Sequence, residues 1–239
     1  MVLAVAHRGA PHAHRENTIP ALLSAVHLGA GMVEVDLERT RDGVLILLHD
    51  ADLNRLWEHE AKVADLSLAD LRALTSDGAY TVPTLTEALA LFSATGIGYM
   101  LDMTEPEFAV QSVAEVQAVP GALERMLFVG GASAMRAVRE RSEEARIGLT
   151  LDRPWPGHAP DEPIESIRPQ YLNPDCRLLD QDVVAAMHDA GYLVSTWTVD
   201  SPTHMAHLLD AGVDALITNR IDRLVRLIAA RTETEVHAA

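Results

Sequence analysis

Short apolar runs rich in β-branched residues recur along the chain and alternate with longer stretches of helical character. Strands are predicted at 2–6 (VLAVA), 32–37 (MVEVDL), 44–48 (VLILL), 97–102 (IGYMLD), 126–130 (MLFVG), 146–151 (RIGLTL), 193–198 (LVSTWT) and 213–218 (VDALIT), with a ninth short piece at 170–173. Helix starts are marked between them. Thr84-Leu85-Thr86-Glu87 reads as a capping box, Ser67-Leu68-Ala69-Asp70 as an N-cap with an acid three residues on, and Pro20 suits the first turn of 19–29. Gly29, Gly96, Gly191 and Gly212 fall where helices should stop. About eight strands interleaved with helices predict an α/β fold, a closed (β/α)₈ TIM-type barrel forming a single domain over residues 1–231, with an open doubly wound sheet as the alternative. Residues 232–239 are polar and read as a frayed tail. One connection fits neither layout. Only Leu37 to Gly43 separates Asp36 from Val44, whereas a parallel crossover takes about a dozen residues or more. Either an extended crossover lacks its helix, or Asp42-Gly43 turns a hairpin.

Composition narrows the partners. The 239 residues are 48% apolar and 23% charged, ordinary for a folded domain, but 35 acidic residues outweigh 19 basic ones and give a net charge of −16. Such a surface argues against nucleic acid or an anionic membrane as partner. Of the basic residues, only Lys62 is a lysine. A single cysteine, Cys176, excludes an intrachain disulfide framework and reads as structural. No apolar run approaches the length of a membrane span, and the one opening the chain stops at His7-Arg8 without a basic leader. The cytoplasm is the expected compartment.

In a parallel barrel, functional groups gather where strands end. Those ends carry His7-Arg8 after the first run, Glu34 and Asp36 within the second, His49-Asp50 after the third, Asp102 closing the fourth and Trp197 in the 193–198 run. Glu34 and Asp36 are two apart and so share a strand face, while Val33, Val35 and Leu37 take the other. Two carboxylates on one face of an apolar strand repel unless a cation lies between them. Oxygen-only ligation points to one hard divalent ion, Mg²⁺ or Ca²⁺. Histidines at two other strand ends suit general acid and base work near neutral pH. His12 and His14 resemble a second metal cluster but read better as a histidine-bearing loop, and His188, His204 and His207 fall on predicted helix surfaces.

Ala6-His7-Arg8-Gly9 followed by Glu16-Asn17-Thr18 resembles the opening signature of the glycerophosphodiester phosphodiesterases. So does Glu34-Val35-Asp36-Leu37 leading through Thr40-Arg41-Asp42-Gly43 to Leu48-His49-Asp50. Val82-Pro83-Thr84-Leu85, Trp197-Thr198-Val199-Asp200 and the run Gly212 to Asn219 look like that family's later blocks, in its order. The resemblance implies a TIM-type barrel that hydrolyses a small-molecule phosphodiester, a glycerophosphodiester, to sn-glycerol 3-phosphate and an alcohol. Carried over by position, it implies His7 and His49 as the catalytic pair, Glu34 and Asp36 as metal carboxylates, and Arg8 as a substrate-binding cation. It further implies attack by the neighbouring glycerol hydroxyl, giving a cyclic phosphate that water opens. Asp102 stands where the family has a Glu and is the expected third metal ligand, with Glu105 the competitor. Trp197 is expected to wall the pocket against the glycerol.

The chain also departs from that pattern. Thr104 occupies the family's lysine position, Arg15 replaces a proline, and Leu56-Trp57 replace small polar residues. Arg15 or Arg153 could restore a positive charge, though nothing in sequence fixes where either points. These departures keep two other readings open: the same barrel acting on a lysophospholipid or sugar phosphodiester, or a non-catalytic phosphoester binder.

Overall fold

The computed structural model describes residues 2–155 and 164–238, with side chains described as far as Thr232. In chain order the elements are β1 (Leu3–His7), α1 (Ile19–His27), β2 (Met32–Arg39), β3 (Leu45–Leu47), α2 (Asn54–Trp57), α3 (Leu68–Thr75) and α4 (Leu85–Thr95). They continue with β4 (Gly98–Met103), α5 (Pro106–Gln117), β5 (Leu127–Gly130), α6 (Ala132–Arg141), β6 (Ile147–Leu151) and α7 (Ile164–Ile167). The last are β7 (Tyr171–Pro174), α8 (Gln181–Asp189), β8 (Leu193–Thr196), α9 (Pro202–Ala211), β9 (Ala215–Thr218) and α10 (Ile221–Ala238). Helical backbone thus runs past Thr232, where the sequence reads as a frayed tail.

Eight parallel strands close a barrel in the order β1, β2, β4 and then β5 to β9, which returns to β1. The open-sheet alternative is excluded by that closure. The ninth predicted piece is a full barrel strand, β7. The run at 44–48 is not a barrel strand. It forms β3, antiparallel to β2, with Leu37 opposite Leu47 and Arg39 opposite Leu45. Gly43, at φ +84°, makes the turn and donates its N–H to Thr40 O. The hairpin has a functional consequence. An antiparallel return brings the chain back down β2, so that Leu48 N reaches Asp36 O and His49 emerges beside the strand it has just left. A helical crossover would have carried it away.

Strand alternation sorts the side chains. Val5, Met32, Met100, Leu127, Val129, Tyr171, Ala215 and Ile217 fill the barrel interior. The opposite strand faces, including Ala4, Ala6, Val33, Val35 and Leu101, pack against the helices in the larger core. Two residues further along each inward row, the apolar layer gives way to polar groups: Val5 leads to His7, Met32 to Glu34 and Asp36, and Met100 to Asp102. Residues 46–82 build a small satellite core of their own around Ile46, Leu53, Trp57, Val63 and Leu71.

Both predicted N-caps form complete capping boxes, Ser67 with Asp70 and Thr84 with Glu87. Gly96 and Gly212 cap α4 and α9 in the left-handed conformation. Gly9 has a stricter requirement. Its φ is +87°, and a Cβ there would lie 2.6 Å from the Ala21 carbonyl carbon, so only glycine lets the β1 loop pass this close to α1. Gly9→Ala is therefore expected to destabilise the protein by more than about 1 kcal/mol, read as a lower urea midpoint at unchanged slope. An unchanged midpoint would contradict that packing.

Candidate active site

The strand ends meet in a cavity of about 240 Å³ at the C-terminal mouth of the barrel. His7, Arg8, Glu34, Asp36, His49, Asp102 and Trp197 all line it, so every site residue expected from sequence is brought to one place. Sheet register explains the assembly. His7 lies opposite Glu34 on paired strands, and Asp36 lies opposite Asp102.

Glu34, Asp36 and Asp102 each offer a carboxylate oxygen, and these atoms all lie within 4.8 Å of one another. Burial first, then Asp36 and Asp102, push the Glu34 carboxyl well above its ordinary value. Burial and Asp36 likewise push Asp102 up to about 7. Three oxygen donors that resist being charged together fit a hard divalent cation, which would relieve the repulsion and match the donor type. Glu105 precedes α5 as its N-cap residue and is outside this cluster. Asp102 is the third carboxylate.

Arg8 sits at φ +55°, and this turn aims its backbone N–H at both Glu34 O and Glu34 Oε2, the latter 2.9 Å away. Its Nε lies 3.0 Å from Asp36 Oδ2, an ion pair without hydrogen-bond alignment, and its Nη1 donates to Glu16 Oε1 at 2.8 Å. Asn17, also left-handed, donates its amide to Asp36 Oδ2 at 2.7 Å. The Glu16-Asn17 pair therefore holds the cation and the carboxylate in fixed relation.

The histidines are held differently. His7 Nδ1 lies 2.8 Å from Asn219 Oδ1, and its Nε2 lies 3.9 Å from Glu34 Oε2. Burial, then the Arg8 charge, lower the His7 pKa against the opposing pull of Asn219 and nearby carboxylates, so the ring is neutral at neutral pH. His49 is at the rim with its side chain 47% exposed, and its Nδ1 lies 2.7 Å from Asp50 Oδ1. Burial raises the Asp50 carboxyl, but Arg55 and His49 outweigh it and hold the group below its usual range. Asp50 is thus the acceptor that orients His49, and Arg55 bridges Asp50 Oδ2 at 2.6 Å to Glu16 Oε1 at 2.7 Å.

Neither expected substitute for the family's lysine reaches the cavity. Arg15 pairs with Asp77 at 2.6 Å and stacks over Trp57, 4.2 Å from the ring centroid, and over Tyr80. Two departures from the family pattern, Arg15 and Trp57, are thereby in contact with each other, fastening the β1 loop to the satellite core. Arg153 is solvated beside Asp152, and Lys62 is exposed. Thr104 lines the cavity, and Arg8 is the only arginine or lysine among the described residues that does so. Trp197 takes the expected wall position, its indole N–H donating to Asn173 O. His12 and His14 form no cluster: His12 faces Asp222 and His14 meets Tyr80. His188, at an exposed position on α8, pairs with Asp214. Cys176 is buried with its thiol pushed up by burial and Asp175, consistent with a packing role.

Comparison with known proteins gives the family. The sequence pattern of the glycerophosphoryl diester phosphodiesterase family matches residues 7–223. The chain belongs to that family. A glycerophosphodiester phosphodiesterase of Caldanaerobacter subterraneus is 27% identical to it over 247 residues, covering 95% of this chain and 97% of that one. In three dimensions it is similar to the Thermotoga maritima glycerophosphodiester phosphodiesterase, with a TM-score of 0.80 at 23% identity over 95% of this chain and 98% of that one. It is also similar to an Oleispira antarctica phosphodiesterase solved with the product sn-glycerol-3-phosphate, with a TM-score of 0.83 at 23% identity over 95% of this chain and 96% of that one. These structural likenesses support the barrel fold. As a member of the glycerophosphoryl diester phosphodiesterase family, the protein is a phosphoric diester hydrolase. No helix of the described residues is long and apolar enough to cross a membrane.

Proposed function

We propose that the enzyme hydrolyses glycerophosphodiesters to sn-glycerol 3-phosphate and an alcohol by histidine acid/base catalysis at a single divalent ion, Mg²⁺ or Ca²⁺. The observation that carries this reading is the convergence of His7, Arg8, His49 and the Glu34/Asp36/Asp102 cluster on one cavity. Glu34, Asp36 and Asp102 would hold the ion, which when bound supplies positive charge against the non-bridging phosphate oxygens. Arg8 adds a second positive charge at the same wall and keeps Asp36 and Glu34 aligned. His7 is partly buried, neutral and bonded through Nδ1, so its Nε2 is the atom available to take the proton of the attacking glycerol hydroxyl. His49 stands at the exposed rim with Nδ1 turned to Asp50, which leaves its Nε2 to protonate the departing alkoxide. Reversal of these roles lets water open the cyclic phosphate. A cavity of about 240 Å³ accommodates the glycerol phosphate portion, while the alcohol lies toward solvent.

Thr104 favours one competing reading. With Arg8 the only arginine or lysine lining the cavity among the described residues, the neutralisation of a diester rests on fewer charges than the family pattern provides. The altered surroundings of the phosphate make a lysophospholipid or a sugar phosphodiester the second candidate substrate. The phosphomonoester products released from a panel of diesters, with Mg²⁺ and with Ca²⁺, separate the two. Turnover of glycerophosphocholine or glycerophosphoethanolamine supports the proposal, and turnover confined to the other classes refutes it.

A further inference from the structure

We infer that Asp200, which does not line the cavity, is a positioning residue that sets the tautomer of His7 through Asn219. Three groups make the chain, His7 at the end of β1, Asn219 just after β9 and Asp200 in the loop between β8 and α9. Asp200 Oδ1 accepts from the Asn219 backbone N–H at 2.8 Å and from the Thr218 hydroxyl at 3.0 Å. Its Oδ2 accepts from Asn219 Nδ2 at 2.9 Å. Asn219 Oδ1 then lies 2.8 Å from His7 Nδ1.

The order of donors and acceptors along this chain is forced. An ionised carboxylate can only accept, so the Asn219 edge facing Asp200 must be its NH₂ and the edge facing His7 must be its oxygen. An amide oxygen can only accept, so His7 Nδ1 must carry the proton. The unprotonated nitrogen is then Nε2, on the Glu34 side of the ring. A lone asparagine could present either edge to an imidazole, since the two are nearly equal in shape. Asp200 removes that ambiguity. The catalytic consequence rests on the reading of His7 as proton acceptor given above, whereas the tautomer itself does not.

Asp200 also secures the turn from β9 to α10 through Asn219 N and Thr218, so lost activity alone would not distinguish positioning from support. The decisive variant is Asp200→Asn. The backbone N–H of Asn219 is a fixed donor, so the oxygen of the new amide must stay on it and its NH₂ must face Asn219. Asn219 then flips, offers its own NH₂ to His7, and moves the ring proton to Nε2. Adding Asn219→Asp restores the original order, because the new amide donates to the new carboxylate, which accepts from His7 Nδ1–H.

The test is nitrogen-detected NMR of the histidine rings in the full-length protein with Mg²⁺ added, His7 being assigned with His7→Gln. Wild type is expected to show a protonated Nδ1 and a bare Nε2, Asp200→Asn the reverse, and the double variant the wild-type pattern. Asp200→Ala, which removes the constraint without imposing the opposite one, should show both tautomers and serves if Asp200→Asn folds poorly. In parallel, Asp200→Asn should lower kcat by about 10²-fold or more with KM little changed, in line with other enzymes whose catalytic imidazole is held in the wrong tautomer. The double variant should recover most of that loss. A proton that stays on Nδ1 in Asp200→Asn, or one that fails to return in the double variant, overturns the inference. A tautomer that swaps while kcat holds supports the relay and refutes His7 as the acceptor.

Discussion

His7→Ala and His49→Ala are each expected to lower kcat about 10²- to 10⁴-fold on a glycerophosphodiester, the usual contribution of a positioned acid or base. The two variants should differ once the leaving group changes. If His49 protonates the departing alkoxide, a diester of p-nitrophenol, which leaves readily as an anion, needs that proton far less. His49→Ala should then lose little against such a substrate, while His7→Ala should lose as much as before, because the attacking hydroxyl still has to be deprotonated. Steady-state kinetics of both variants on both substrates provide the comparison. Equal losses on the activated diester would refute the assignment of roles, and wild-type rates in both variants would refute histidine catalysis altogether. The double variant should fall little below the worse single one, since residues acting in one proton circuit are not additive.

The geometry behind that prediction was partly visible in the sequence. Strand alternation alone places Glu34 and Asp36 on one face, and the rule that barrel chemistry sits at strand ends collects His7, Asp102 and Trp197. Counting strands by apolar runs was less secure. VLILL lies outside the barrel and the shorter piece at 170–173 lies within it: run length and hydrophobicity report burial and not which partner a strand takes. β3 is fully buried yet lies outside the barrel, while β7 is a four-residue strand that ends at Pro174. Asp42-Gly43 was the local signal that decides the matter, since a hairpin turn leaves no room for a crossover.

The supporting residues were less legible. Asn219 stands at the end of a predicted strand and could have been found by the same rule that found His7. Arg55 could not, because one arginine in a polar segment reads as solvated, and its value depends on Glu16, 39 positions away. Nothing in sequence fixes the direction of a long flexible side chain. Arg15 was expected as a substitute cation on charge alone, yet Asp77, Trp57 and Tyr80 hold it away from the cavity.

Mg²⁺ is expected to stabilise the protein at pH 7.5 and to have almost no effect at pH 5. The sign follows from the carboxylate cluster. Asp102 is raised to about 7 and Glu34 well above its ordinary value, against about 4 for both groups in the unfolded chain. Between those limits the metal-free fold binds more protons than the unfolded chain does, so its stability falls as pH rises through the window. A divalent ion must displace the same protons, so its affinity climbs through the window by up to a factor of ten per pH unit for each proton released. Thermal melts in chelator and in Mg²⁺ or Ca²⁺, at both pH values, measure this directly, and the larger shift identifies the preferred ion. Asp102→Asn adds an internal check. It removes one repelling charge, so the metal-free variant should melt higher than wild type at pH 7.5, lose its response to the ion, and lose hydrolysis with it. A metal-induced shift of equal size at both pH values, or one that survives Asp102→Asn unchanged, would place the ion somewhere other than between Glu34, Asp36 and Asp102.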